Sequence, residues 1–399
     1  MLVLSGIEPM KLSIGIRIIS TGPIVWLFLA GCGVSPMPIA VGEDPTSAPI
    51  AGLSVDDLAR HHRGDSLFEQ TFRPTQGLGP LYIRASCSSC HAGDVRGPGA
   101  VQRMSVVEAD GFTRAVDQSL LPFGTVVRPQ ITAGAMTAIL PPMDEPRVKL
   151  SLRVGPATYG RAYLEAIDDG VLRDLESTQA REGIVSGRAN VLADGRVGRF
   201  GVKARLATIE AFVADAFRGD MGLTSPQLPE ELPNPDGLHD DMFAGVDLPA
   251  STVDDVAFYV RTLAMPRRTG LTDRGAAVFS STGCATCHTP SLPTRSDYAI
   301  AAVAGTDAPV FSDLLVHDMG TQLADGIVDG SANEREWRTT PLMGLRFSSS
   351  FLHDGRATTI DEAIELHRGD GSEANFSVDR FEALGADDRA ALLDFVARL

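Results

Sequence analysis

Several stretches of the 399-residue chain repeat apolar side chains at the three-and-four spacing of an α-helix. In "SVDDLARHHRGDSLFEQTF", Ser54 is a candidate cap, and Leu58, Leu67, Phe68 and Phe72 supply the apolar positions. "VKARLATIEAFVADAF" repeats Leu206, Ile209, Val213 and Phe217. "STVDDVAFYVRTL" sets Val256, Tyr259, Val260 and Leu263 on one face, with Ser251 as the candidate N-cap, and stops before Pro266. Beyond it, "LTDRGAAVFSSTG" opens a further helix and "DRAALLDFVARL" closes the chain with Leu392, Phe395, Val396 and Leu399 on a stripe. The pattern predicts a mostly α fold in two helical lobes, 53–265 and 266–399, joined by Gly- and Asp-rich loops longer than connections require.

The first 52 residues follow another pattern. Lys11 and Arg17 precede the apolar run "GPIVWLFLAG", which is too short for a membrane span of about 20 residues but suits an export signal. The run ends in "LAGC", similar to the bacterial lipobox, so residues 1–31 read as a lipoprotein signal peptide and Cys32 as the lipid-anchored first residue of the mature chain. "MKLSIGIR" makes Met10 an alternative start. Gly33 after the cysteine, by resemblance to lipoprotein sorting rules, favours the outer membrane, so the expected location is the periplasm with a lipid anchor. Residues 32–52, rich in Pro, Gly, Ala and Ser, form a flexible tether. With 51 acidic against 35 basic side chains and a net charge of −16, the chain has no attraction for nucleic acid.

With Cys32 assigned to lipid, four cysteines remain, and all lie in C-x-x-C-H: Cys87, Cys90 and His91, then Cys284, Cys287 and His288. A disulfide gives no reason for the histidine. A zinc site needs further Cys or His ligands at finger-like spacing, and none follow. Covalent haem c accounts for all three residues: the thiols add to the vinyl groups as thioethers, and the imidazole ligates iron. Two haems are therefore expected, with His91 and His288 as proximal ligands. A helix running into C-x-x-C-H and a closing amphipathic helix are what a cytochrome c domain looks like.

The distal faces decide between carrier and enzyme. In "FLHDGRATTIDEAIELH", Ile360, Ala363, Ile364 and His367 share a helix face, which makes His367 a candidate sixth ligand; His317, Met319 and His353 are its rivals. No histidine lies between His91 and His239. Met104, Met136 and Met143 read as core filler, so the first haem is expected to have an open distal side that binds peroxide.

Residues 60–399 resemble the bacterial di-haem oxidoreductases, also described as thiol oxidoreductases, within the superfamily of di-haem cytochrome c peroxidases and MauG-type enzymes. The blocks that carry the resemblance are "GLGPLYIRASCSSCH", "GRFGVKA", "GDMGLTS", "GCATCHTP", "FSDLLVHDMG" and "RTTPLMGLRFSSSFLHDGRATTIDEAIELH". It implies bis-histidine ligation of the second haem by His288 and His367, and an acid at Asp220 that assists O–O cleavage. It further implies peroxide as substrate, with electrons from an external donor such as a small cytochrome or cupredoxin relayed through the C-terminal haem. Val202 stands where relatives carry a tryptophan between the haems, which weakens radical storage and a MauG-like oxidase role. His317 and Arg346 are candidate partners of haem propionates. A non-enzymatic electron-transfer lipoprotein is the leading alternative. Thiol chemistry has little support because haem consumes the thiols, and calcium has none from the sequence.

Overall fold

Ser54 ends the tether because its side chain accepts a hydrogen bond from the Asp57 amide, capping α1 (Val55–Glu69) as the sequence predicts. A computed structural model describes residues 46–132, 134–238 and 245–399; the stretch read as an export signal, Cys32 and most of the expected tether lie outside the described residues. Helices supply most of the regular structure, and no described helix is long and apolar enough to cross a membrane. After α1 come the short α2 (Arg161–Ala166) and the polar α3 (Asp169–Glu182), capped by Asp168 and closed by left-handed Gly183. Neither has an apolar stripe that the sequence reading could recognise.

Helix α4 (Ile209–Met221) starts three residues after Leu206, because Thr208 caps it and residues 201–206 are spent in a turn and a bridge. Helix α5 (Ala250–Thr262) begins with Pro249 as its N-cap rather than Ser251, since proline brings the helical φ and has no amide to leave unpaired. The C-terminal part holds α6 (Asp273–Ser281), α7 (Ile360–Glu365), α8 (Asn375–Glu382) and α9 (Ala386–Ala397). Two antiparallel strand pairs support the sites: Val101–Val106 with Val148–Arg153, and Val316–Asp318 with Glu336–Arg338, the latter in the register Val316 to Arg338.

The largest buried cluster gathers Phe68 of α1, Val213 and Phe217 of α4 and Val256 and Tyr259 of α5. It also takes in Leu292, Leu314 and Met343 from beyond residue 266. A second cluster, around Phe279, Phe311, Phe381 and Phe395, lies within 278–399. Helices α1 and α5 touch at Gly64, where a Cβ would stand 2.2 Å from the Asp255 carbonyl oxygen and 2.6 Å from the Tyr259 Cβ. Helix propensity alone favours alanine there by about 1 kcal/mol, but the two backbones would have to separate. Gly64→Ala is therefore expected to lower the melting temperature, at an overpacking cost of about 1–3 kcal/mol; a raised melting temperature would refute this contact.

Candidate haem sites

The C-terminal cavity is built where α6 runs into the turn Cys284–Thr286. Gly283 turns the chain at φ +88°, and a Cβ there would meet the Phe376 ring at 2.5 Å, so only glycine lets the thiols reach the cavity. Cys284, Cys287 and His288 all line it. His288 donates from Nδ1 to the Phe311 carbonyl at 3.0 Å. Helix α7, whose Ile360, Ala363 and Ile364 form part of the wall, ends at Glu365, so His367 lies in the turn beyond it rather than on the helix face the sequence predicts; it lines the same cavity and donates from Nδ1 to the Ala363 carbonyl at 2.6 Å. A carbonyl partner fixes the proton on Nδ1 and leaves each Nε2 as an unprotonated donor. Burial holds both rings neutral, and His367 adds to the effect at His288, which is pushed down to about 4. Two neutral imidazoles with fixed tautomers in one apolar cavity fit the two axial positions of a haem iron.

The rival donors are differently employed. His317 lines the cavity, but its Nδ1 and Nε2 hold Glu373 at 2.8 Å and Asp313 at 2.9 Å. Burial alone would lower its pKa; Cys287, Asp313 and Glu373 together raise it well above the ordinary value, so the ring is a cation locked between carboxylates. Among the described residues, Cys287, Asp313 and His317 are the one group of three candidate metal donors, and a thiol is a poor member of a calcium site. His353 stacks on Trp337 with centroids 3.6 Å apart and an interplanar angle of 15°. Met319 is also on the wall. Arg346 lies over the Phe347 ring at 4.6 Å, and the guanidinium groups that border the cavity are those of Arg96 and Arg338.

The N-terminal cavity starts from the turn of Cys87 to His91, closed by hydrogen bonds that the Cys90 and His91 amides donate to the Cys87 carbonyl at 3.0 and 2.9 Å. Gly155 makes room for the imidazole, since a Cβ there would be 2.7 Å from its Cε1. His91 is buried, and burial pushes its pKa down to about 4 against the opposing effect of the Val95 and Pro156 backbone. A neutral buried imidazole beside two thiols fits a haem c ligand. Cys87 is pushed up to about 12 by burial, and Cys90, Cys284 and Cys287 are raised for the same reason. All four are free, and neutral thiols are not nucleophiles.

One wall of this cavity is a face of α4: Ile209, Phe212, Val213, Ala216, Phe217 and, continuing the spacing, Asp220. Burial raises the Asp220 carboxyl to about 7; the neighbouring Asp215 adds to this and Arg205 opposes it. The Met221 side chain, which the sequence reading passed over, lines the same cavity, as does the guanidinium-bearing Arg161. Among the residues lining it, His91 is the one histidine. Met104 is buried with Leu81 and Val106, whereas Met136 and Met143 stand at the surface rather than in the core. His61, upstream of the motif, packs on Tyr259 at 4.9 Å and holds Thr262 at 2.7 Å, a structural role.

The two cavities share a partition. Gly201 lines the first and Val202 the second, while Arg338 borders both. The Arg338 amide donates to the Val202 carbonyl at 2.9 Å and its Nε to the Gly201 carbonyl at 3.0 Å. Trp337 faces the second cavity, with Lys203 4.1 Å and Arg153 4.6 Å from its ring. Cations over an indole disfavour a further positive charge on it, so Trp337 is a poor hole store.

These donor sets define a haem-binding redox protein. A family model described as "di-haem oxidoreductase, putative peroxidase" matches residues 42–110 and 132–399, and the chain belongs to that family. Comparison with curated proteins found no match. Among solved structures, hydrazine synthase of Kuenenia stuttgartiensis aligns at 13% identity and TM-score 0.38, over 95% of this chain and 100% of that one. A MauG-like protein associated with microbial copper homeostasis aligns at 18% identity and TM-score 0.40, over 88% and 92%. Neither similarity is close enough to support an argument about this chain.

Proposed function

We propose that the protein is a di-haem c-type peroxidase that reduces hydrogen peroxide at the N-terminal site with electrons arriving through the C-terminal site. The observation that carries this reading is the inequality of the donor sets. One cavity offers two fixed imidazoles, His288 and His367; the other offers a single imidazole, His91, with a carboxyl on its wall. When bound, haem supplies the iron redox chemistry that reduction of peroxide to two waters requires. Asp220 accepts the proton of one peroxide oxygen and delivers it to the other as the O–O bond breaks, so that the departing group leaves as water. Phe212, Val213 and Phe217 keep this exchange away from bulk solvent. At the other site the Phe311 and Ala363 carbonyls hold His288 and His367 in register, which leaves peroxide no place to enter.

Cys87, Cys90, Cys284 and Cys287 carry the thioether bonds in this proposal, and a small cytochrome or cupredoxin donates electrons from outside. The proposed location is the periplasm, with Cys32 as the lipid anchor in the outer membrane. A second reading, an electron carrier without turnover, is favoured by Met221, whose thioether is the other soft donor on the N-terminal wall.

A redox titration followed by optical and EPR spectroscopy separates the two readings. The peroxidase reading expects one low-spin and one high-spin haem in at least one redox state; two low-spin haems in every state would leave the carrier. Acid–acetone extraction should release no pigment, because the haems are covalently held.

A further inference from the structure

Arg338 is 6% exposed and reaches the wall of both cavities. Its Nε is satisfied by the Gly201 carbonyl, but Nη1 is buried without a partner, and the side chain forms no ion pair among the described residues. The carboxylate closest in influence, Asp313, is spoken for: its oxygens hold Gln179 at 2.8 Å, His317 at 2.9 Å and the Leu315 amide at 3.0 Å. Nearby, Arg161 is also buried on the N-terminal wall, its one hydrogen bond among the described residues going to the Ala157 carbonyl at 2.6 Å. Among the other deeply buried cations, Arg153 and Lys203 pair with Asp325 and Arg199 with Asp169, whereas Arg128, which lines neither cavity, is bonded to the Phe123 and Pro233 carbonyls. Burial, and after it the charge of Arg161, disfavours the Arg338 cation, and two guanidinium groups on cavity walls without an ion-pair partner among the described residues suit the anionic groups of a ligand.

We infer that Arg338 is a shared carboxylate clamp, its fork holding a propionate of each haem across the partition and setting both reduction potentials together. This rests on the two-haem reading above and goes beyond it by assigning the partition a role. The planar guanidinium suits the task because its five donors diverge in a fixed plane, so it can face two carboxylates at once. With Val202 offering no aromatic step, Arg338 and its bonds to the Gly201 and Val202 carbonyls form a polar link between the cavities. Arg96 and Arg161 each border one cavity only, and each serves one haem.

The test is a potentiometric titration of the full-length holoprotein, with haems counted as pyridine haemochromes. A nearby cation favours the reduced iron, so Arg338→Gln should lower both potentials, each by a tenfold or greater change in its reduction equilibrium, about 59 mV for one electron. Arg161→Gln should move only the N-terminal haem and Arg96→Gln only the C-terminal one. Two haems counted, with one potential or neither displaced by Arg338→Gln, would overturn the clamp. Fewer than two haems in the wild-type protein would instead overturn the reading it rests on. If Arg338→Gln does not accumulate, Arg338→Lys answers the same question. Its point charge holds one propionate and releases the other, so one potential should fall while the other stays, and two unmoved potentials would refute the clamp.

Discussion

Replacing Asp220 by asparagine is expected to lower kcat/KM for hydrogen peroxide by roughly 10²–10⁴-fold, the usual worth of a positioned proton-transfer group. Both haems should be retained and the high-spin spectrum unchanged. The side chain sits on the last turn of α4, on the face that also supplies Ile209, Val213 and Phe217 to the cavity. Its oxygens are therefore presented to the cavity by a rigid element rather than a loop. Asparagine keeps the shape and the polarity but cannot take up and return a proton. A loss of threefold or less would mean that Asp220 is a bystander and that water carries the proton.

The same variant has a pH signature. Burial raises the Asp220 carboxyl to about 7 from its ordinary value near 4. The form that accepts a proton is the carboxylate, so wild-type kcat/KM should rise as pH passes through about 7, and the Asp220→Asn profile should be flat there. Stability runs the other way. The folded state keeps this proton to higher pH than the unfolded chain does, so the unfolded state releases protons first, and stability falls as pH rises from about 4 to about 7. Asparagine carries no such charge. The melting temperature of Asp220→Asn relative to wild type should therefore climb across that window, measured by calorimetry at fixed ionic strength. A constant difference would show that the group titrates normally.

The helices that wall the two cavities were legible because each presents one apolar face to a core, and periodicity reports such a face directly. α1, α5, α6 and α9 are of this kind. α3 was not legible because only Leu172 and Gln179 on it are buried. The extension of the α4 stripe to Asp220 was readable in principle: the residue follows Phe217 by three, at the position where the next apolar side chain would fall. The partition was not readable. It exists because the turn at Gly201 and Val202 is bonded to a strand beginning 135 residues later, and no local pattern encodes that meeting. Arg338 and Trp337 acquire their meaning only there. The same applies to His317, where spacing offered a ligand but Asp313 and Glu373 converge on the ring from two different segments.

His367→Ala is expected to convert the C-terminal haem from low spin to high spin and to make it bind cyanide or added imidazole, with imidazole restoring the low-spin spectrum. The prediction follows from the competition among four side chains on one cavity. His317 has carboxylates on both nitrogens, and removing it would strand Asp313 and Glu373 without releasing an iron donor. His353 is held face to face with Trp337, and burial together with Arg153 and Arg356 keeps it neutral, so its ring is committed to stacking. Met319 offers only a weak donor where a fixed imidazole is already present. His367 alone combines an unprotonated Nε2, a fixed tautomer and a place on the cavity wall just past the end of α7, so it alone can complete the axial pair with His288. His317→Ala and His353→Ala should leave the low-spin signal intact. If either of them, and not His367→Ala, produced the high-spin species, the axial pair would have to be reassigned. The C-terminal site would then no longer be closed to peroxide by the two carbonyl-anchored imidazoles, and the division of labour between the cavities would lose its structural basis.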